Sequence, residues 1–123
     1  MAYVDGFLVP VPKKNLNAYI AMSKKAGKIW RKLGALEYRE CVGDDLTVKM
    51  GVPFPRTAKV KTGETVVFSW IVYKSRADRD RINAKVMKHK GIIEMMEGKT
   101  MPFDVKRMAY GGFKGLVDAG RKR

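Results

Sequence analysis

Side chains that can accept or donate protons are concentrated in residues 35–42, which read ALEYRECV. These residues have the composition of a β-strand, and the alternation of a strand would place Tyr38 and Glu40 on the same face. We expect this face to border a cavity between the sheet and a partner, where a buried carboxylate beside a phenol could act as a general base. The alternative is a glutamate held by hydrogen bonds at an interface, with no part in chemistry.

Asp5 is a second acidic residue in a position where a charge needs partners. It lies within residues 3–11 (YVDGFLVPV), which are otherwise mostly apolar. A carboxylate buried in such a strand requires a cation or hydrogen-bond donors, and the basic residues at positions 76, 106 and 107 could supply them. The candidate catalytic residues are therefore Glu40, Tyr38 and Asp5.

Another group of polar residues lies at the start of the second predicted helix. Residues 75–78 (SRAD) resemble a capping box, and the spacing that follows brings several polar side chains to one helical face. Backbone N–H groups at a helix start favour an anion such as a carboxylate or a phosphate. The pattern is equally consistent with an anion site and with a network of ion pairs between subunits. The residues of this candidate anion site are Arg76, Arg79, Asn83 and Lys85.

The sequence predicts no metal and no cofactor. One cysteine and one histidine cannot complete a zinc site. Cys41 is expected to be a small buried residue, and His89 is expected to be a cation that stabilises the end of a helix. Asp44 and Asp45 have no further ligands at a suitable spacing and predict a solvated turn. The chain also lacks a glycine-rich phosphate loop and a nucleophile elbow.

Hydrophobic periodicity predicts the order strand, helix, strand, strand, helix, strand. The strands are residues 3–11, 35–42, 65–73 and 107–117, and the helices are residues 15–33 and 75–90, with a further helical turn at 92–97. Gly34 is predicted to end the first helix. This order is that of a ferredoxin-like βαββαβ subunit, an α+β fold with an antiparallel sheet and both helices on one face. We predict a single domain over residues 1–117, followed by a basic tail at 118–123.

The third predicted strand is apolar on both faces. Val66, Phe68, Trp70 and Val72 alternate with Val67, Ile71 and Tyr73. Two helices can cover only one face of a sheet, so the other face needs a partner. A second copy packed sheet to sheet is the simplest partner, and we therefore predict a homodimer.

The chain carries a large excess of positive charge, with 26 Lys and Arg residues against 12 Asp and Glu and a formal net charge of +14. Such an excess attracts polyanions, so weak and non-specific nucleic-acid binding is expected. The outer stripe of the first helix contains Lys24, Lys25, Lys28, Arg31 and Lys32. No apolar run is long enough to cross a membrane and residues 1–7 do not resemble a signal peptide, which predicts a cytoplasmic location without membrane association.

Several blocks of the chain resemble the YbaA-like family, a bacterial family of unknown function. The blocks are YVDGF at 3–7, GALEYRECVGDD at 34–45, FSWI at 68–71, SRADRD at 75–80, NAKVM at 83–87, MPFD at 101–104, KRM at 106–108 and YGGF at 110–113. The resemblance extends from the N-terminus to about residue 117. It implies a subunit of the dimeric α/β-barrel superfamily, which also contains small monooxygenases.

These features together favour a small homodimer with a pocket for a small organic molecule beside the sheet. If the protein is an enzyme, we expect a cofactor-independent, monooxygenase-like or isomerase-like activity. The alternative is a basic module that binds nucleic acid or another polyanion.

Overall fold

The computed structural model describes residues 1–97 and 101–120. Within them, one antiparallel sheet has the order β2–β3–β1–β4 and contains β1 (Tyr3–Pro12), β2 (Glu37–Val42), β3 (Glu64–Tyr73) and β4 (Ala109–Lys114). The helices of the described residues are α1 (Leu16–Lys32), α2 (Phe54–Thr57), α3 (Arg76–Lys88) and α4 (Lys90–Met96). The predicted α+β class and the four-stranded antiparallel sheet are confirmed. Positions 121–123 of the predicted tail lie outside the described residues.

The two ends of α1 differ in how they are fixed. The helix follows a 3-10 turn at Lys13–Asn15, and the Asn15 side chain makes no capping hydrogen bond but donates to the carbonyl oxygen of Pro102 at 3.2 Å. The chain leaves the helix at Gly34, as predicted, with a φ of 122° that glycine adopts without strain. Ala35 and Leu36 follow this turn without joining the sheet, so β2 begins at Glu37 rather than at residue 35.

The helices cover the sheet face that carries the buried side chains of Val9, Val11, Val67, Ile71 and Tyr73. The buried side of α1, which includes Tyr19, Ala26 and Ile29, packs on this face, and Ile82 and Val86 of α3 are completely buried there. Ile92 of α4 joins the same core, so the predicted turn at 92–97 belongs to a helix that begins at Lys90. The polar groups of the interior lie between this layer of helices and the sheet.

His89 lies between α3 and α4 and is half-buried. Its Nδ1 accepts a hydrogen bond from the backbone N–H of Gly91 at 3.0 Å, which caps the start of α4. The imidazole that was expected to stabilise the end of α3 therefore caps the start of α4.

The opposite sheet face is exposed at its phenylalanine side chains in the part of the chain that the structure describes, whereas Val66 and Val72 on this face are buried. Phe68 is 45% exposed and Phe113 is 63% exposed. Gly6 and Gly111 face each other across the β1–β4 pair at the floor of a depression of about 750 Å³. Phe54 of α2 covers one corner by packing edge-on against Phe68, with ring centroids 5.8 Å apart. We call this surface, formed by Val4, Gly6, Phe68, Trp70, Val72, Gly111 and Phe113, the open sheet face.

A bidentate ion pair ties the start of β3 to the segment before β4. Nη1 and Nη2 of Arg107 donate to the Glu64 carboxylate at 2.6 and 2.9 Å, and Nη2 also donates to the carbonyl oxygen of Lys59 at 2.8 Å. Arg107 was predicted to begin the last strand, but it ends a 3-10 turn at Val105–Arg107 instead. Its hydrogen bonds to Glu64, together with one from the backbone N–H of Lys61, lower the pKa of Glu64 from 4.5 to about 2.

The ion pair between Arg107 and Glu64 should make the stability of the folded chain decrease at acidic pH. Because the folded-state pKa lies below the unfolded value, Glu64 contributes stability above pH 4.5 and loses that contribution as the pH falls toward about 2. A Glu64→Gln variant should therefore be less stable than the parent at pH 6, and the difference should shrink to nearly zero at pH 2. Urea unfolding at a series of pH values measures this difference. A difference that stays constant down to pH 2, or an equal effect of Glu94→Gln on the exposed side of α4, would contradict it.

Candidate functional site

Glu40 is held between two tyrosines on the helix-covered face of the sheet. Its Oε1 accepts a hydrogen bond from the Tyr19 hydroxyl of α1, and its Oε2 accepts one from the Tyr38 hydroxyl of β2, each at 2.7 Å. We call these three residues the Glu40 cluster. Tyr38 and Glu40 do share a face, but the expectation that this face lies between the sheet and a partner is wrong, because α1 of the same chain covers it.

Strand pairing and the close approach of α1 fix the position of the Glu40 cluster. Tyr38 lies opposite Ile71 and Glu40 lies opposite Ser69, and both of these β3 residues are buried. On α1, the Tyr38 ring packs against Gly27, where a Cβ atom would lie only 2.8 Å from ring Cδ1. Glycine at this position therefore allows the helix to come close enough for Tyr19 to reach the same carboxylate.

The two phenols of the Glu40 cluster remain protonated at neutral pH. Burial raises the pKa of Tyr19 and of Tyr38, and the negative charge of Glu40 raises both further. The nearby hydroxyl of Ser23 acts in the opposite direction without cancelling these effects. The cluster therefore combines one carboxylate with two phenol O–H donors.

Asp5 lies in a separate polar cluster on the same sheet face. It is 1% exposed, and Nε of Arg79 lies 3.8 Å from its Oδ1. Nδ2 of Asn83 donates to its Oδ2 at 3.4 Å. Arg79 also donates to the Tyr3 hydroxyl at 3.0 Å and lies over the Tyr3 ring. The expectation that Asp5 needs a basic partner is met by Arg79, rather than by one of the basic residues at 76, 106 or 107.

Trp30 and Tyr73 complete this Asp5 cluster. Nε1 of Trp30 donates to the Tyr73 hydroxyl and to Oδ1 of Asn83, each at 3.1 Å, and the Tyr73 hydroxyl donates to the same Asn83 oxygen at 3.0 Å. Burial and the charge of Asp5 raise the pKa of Tyr73. No group of the described residues donates a well-aligned hydrogen bond to Oδ1 of Asp5.

Both clusters border one cavity of about 440 Å³ between the sheet and the helices, which we call the interior cavity. Its remaining surface is mostly apolar and rich in methionine. The methionines that line it are Met22, Met87, Met95, Met96, Met101 and Met108. Unbranched Met side chains adapt to ligands of different shape, and sites for small organic molecules typically combine such a surface with a few polar groups.

The four residues of the predicted anion site do not point in one direction. Arg79 and Asn83 face the sheet and take part in the Asp5 cluster. Arg76 and Lys85 are exposed, and Nε of Arg76 lies 4.0 Å from Oδ2 of Asp80. Ser75 does cap α3, since its Oγ accepts a hydrogen bond from the backbone N–H of Asp78 at 3.1 Å. Arg79 therefore pairs with the buried carboxylate of Asp5 and does not form an anion site together with Arg76 and Lys85.

Two further expectations concern β2 and the turn after it. Cys41 was expected to be buried but is exposed, because it lies on an edge strand. Asp44 and Asp45 are exposed in a bend, as expected of a solvated turn. Over residues 1–97 and 101–120, no three His, Cys, Asp or Glu side chains lie close enough together to hold a metal ion.

Tyr19, Trp30 and Tyr73 belong to polar clusters that the sequence does not predict. All three are amphipathic, with an aromatic body in the core and a polar atom that needs a partner there. One signal was present for Tyr19: the small residues Ser23 and Gly27 follow it at intervals of four along the buried side of α1. Small residues at this spacing indicate a helix surface that another element can approach closely.

Comparison with known proteins places the chain in a family. Residues 2–105 match the family described as "Protein of unknown function (DUF1428)". The chain belongs to the DUF1428 family. Proteins named "Uncharacterized protein YbaA" from Escherichia coli K12, Escherichia coli O157:H7 and Shigella flexneri are each 42% identical to it over 118 residues. Each alignment covers 96% of this chain and 99% of the relative, so the resemblance to YbaA-like proteins is confirmed.

Solved structures share the fold of this DUF1428 protein at low sequence identity. Rv0793 from Mycobacterium tuberculosis is 15% identical with a TM-score of 0.58, over 98% of this chain and all of that one. A dimeric ferredoxin-like protein from an uncultured marine organism is 13% identical with a TM-score of 0.54, over the same shares. These likenesses show a ferredoxin-like fold. Within the described residues, no helix is long and apolar enough to span a membrane.

Proposed function

We propose that this protein binds a small, mostly apolar carbonyl compound in the interior cavity and that Glu40 acts there as a general base. One observation carries the proposal: a carboxylate and two protonated phenols meet at the wall of an otherwise apolar cavity. Paired proton-accepting and proton-donating groups of this kind are what removal of a proton next to a carbonyl requires.

The chemistry uses the Glu40 cluster alone. When a carbonyl compound binds, one phenol exchanges its hydrogen bond to Glu40 for one to the carbonyl oxygen, which frees a carboxylate oxygen. The C–H bond next to the carbonyl then breaks, its proton passes to Glu40, and its electron pair forms the enolate stabilised by the phenol. Return of the proton at the same or another carbon completes an exchange or an isomerisation. A monooxygenase-like reaction would start with the same step and use dioxygen as co-substrate.

The Asp5 cluster holds the other polar groups of the cavity in place. Asp5 is buried and lies beside the cation of Arg79, and its hydrogen-bonded neighbours connect α1, α3, β1 and β3. Its Oδ1 lies 3.8 Å from the cation of Arg79 but accepts no well-aligned hydrogen bond from the described residues, so it is an acceptor for a ligand hydroxyl. We assign Asp5 to ligand positioning, and Glu40 and Tyr38 to catalysis, with Tyr19 as an additional catalytic group.

Binding to the interior cavity can be measured through Trp30, which lines it. In a Trp70→Phe background, Trp30 is the remaining tryptophan, so its fluorescence should change on titration with 2-indanone and saturate. Replacing Ser69 with leucine places a larger side chain in the cavity and should weaken this binding at least tenfold. The control is Ser75→Ala, away from the cavity lining, which should bind like the parent. Equal binding by the Ser69→Leu variant would contradict the cavity as the site.

We further infer that two copies associate through the open sheet face. Its large exposed aromatic side chains support this, as does the similarity to a dimeric ferredoxin-like protein. Association of two such faces would bury apolar side chains on both sheets and leave each interior cavity within its own protomer. The barrel dimer predicted from the sequence is this arrangement.

Weak polyanion binding remains a second prediction, because the cations of the predicted stripe on α1 are exposed. Phosphate contacts of this kind carry no sequence preference, and their affinity falls steeply with salt concentration. Binding of 2-indanone in an apolar cavity has no such dependence, so a salt series separates the two functions.

A further inference from the structure

We propose that a second site, in an open groove between α1 and β2, binds the carboxylate of an aliphatic acid. The groove has a volume of about 690 Å³ and shares the Glu40 cluster with the interior cavity as a common wall. Its apolar surface comes from Leu16, Ile20, Val42 and Val67. This site goes beyond the proposed function, because it does not require the interior cavity to be occupied.

Cations lie along the α1 edge of this groove. Lys24, Lys28 and Arg31 follow one another at helical spacing and all border it. Nη1 of Arg31 is held by the carbonyl oxygens of Ala35 and Leu36 at 2.7 and 3.0 Å. Lys24 and Lys28 are exposed, and neither lies within ion-pair distance of an acidic group in the described residues. These two ammonium groups are therefore available to an external anion.

The acidic group of the lining is already hydrogen-bonded, whereas a hydroxyl group of the lining is available to a ligand. Glu40 is the acidic residue of this lining, and its two oxygens already accept hydrogen bonds from the phenols. Ser23 is 7% exposed and borders the groove, and its hydroxyl makes no well-aligned hydrogen bond within the described residues. A polar atom of a bound ligand would satisfy this hydroxyl. An apolar wall with unpaired lysines at its edge is complementary to an amphiphile with a negative head group.

Octanoate and its neutral analogue octanol test this assignment by calorimetric titration of the full chain at low salt. Octanoate should bind more tightly than octanol. In the Lys24→Gln/Lys28→Gln variant, octanoate should bind about five- to tenfold more weakly, as expected for the loss of two exposed ion pairs, while octanol should be unaffected. The matched control is Lys25→Gln/Lys32→Gln, which removes two exposed cations of the same helix that do not border the groove.

The outcomes separate this site from the interior cavity. Ser69 lines the cavity but not the groove, so the Ser69→Leu variant should bind octanoate like the parent. Loss of octanoate binding in that variant, equal affinity for octanol and octanoate, or an equal loss in the Lys25/Lys32 control would each overturn the acid site. Absence of octanoate binding to the parent would also overturn it. None of these results would affect the binding of 2-indanone to the interior cavity.

Discussion

Replacing Glu40 with glutamine should slow hydrogen–deuterium exchange at the carbon next to the carbonyl of 2-indanone by a factor of about 100 to 10,000. The substitution keeps the size of the side chain but removes the group that receives the proton. Exchange into 2-indanone in deuterated buffer can be followed by proton NMR, with the rate without protein subtracted. The reaction needs no added oxidant or cofactor, so the measurement reports the proton transfer alone.

Two further variants show whether the slower exchange is caused by the loss of the general base. Tyr38→Phe keeps the carboxylate but removes one donor, so it should lower the exchange rate by a smaller factor than Glu40→Gln. Glu94→Gln changes an exposed carboxylate that does not border the interior cavity, and it should have no effect. An exchange rate of the folded Glu40→Gln variant equal to that of the parent would show that Glu40 is not the base.

Replacing Phe68 with aspartate should convert the proposed dimer into a folded monomer. Phe68 is 45% exposed on the open sheet face, so the charge is hydrated in the monomer but would be buried without a partner between two sheets. Light scattering at micromolar concentration should give about twice 13.9 kDa for the parent and about 13.9 kDa for the variant. Circular dichroism should show an unchanged fold.

Ile71 on β3 and Ile93 on the surface of α4 provide the controls for the Phe68→Asp variant. Ile71 lies on the other face of β3, and its side chain is 3% exposed under the helices. Ile71→Asp should therefore unfold the chain. Ile93, which is 39% exposed on α4, should tolerate aspartate and leave the dimer intact. A parent protein that is monomeric, or a Phe68→Asp variant that remains dimeric, would contradict an interface at the open sheet face.

The sequence predicts the sheet well because its signals are local. Alternation in β3 separates the Val66, Phe68, Trp70 and Val72 face from the Val67, Ile71 and Tyr73 face, and the structure places them in that way. The end of α1 follows equally from Gly34, whose positive φ is a local property of the backbone. In contrast, β4 begins at Ala109 rather than at residue 107 because Arg107 ends a turn and binds Glu64, which is distant in sequence.

The candidate site was only partly predictable for the same reason. Alternation put Tyr38 and Glu40 on one face, but it cannot say which face of the sheet the helices will cover. That choice depends on contacts between elements, such as the packing of Tyr38 against Gly27. The partner of Asp5 was also beyond a local argument, because Arg79 reaches it only when α3 packs on the sheet. Tyr19 is a typical core residue by pattern, and its hydrogen bond to Glu40 appears only in the folded chain.

A ligand site beside Glu40 is tested most directly by locating bound 2-indanone with isotope-filtered NOE measurements on protein labelled at its methyl groups. Binding in the interior cavity should give contacts between the ligand protons and the methyl groups of Met22, Met95 and Ile71, which line it. The same spectra should show no contacts to the methyl groups of Val4 and Val72 on the open sheet face. Contacts to Val4 and Val72 without contacts to the cavity methyl groups would show that the ligand binds the exposed sheet, and would contradict a ligand site beside Glu40.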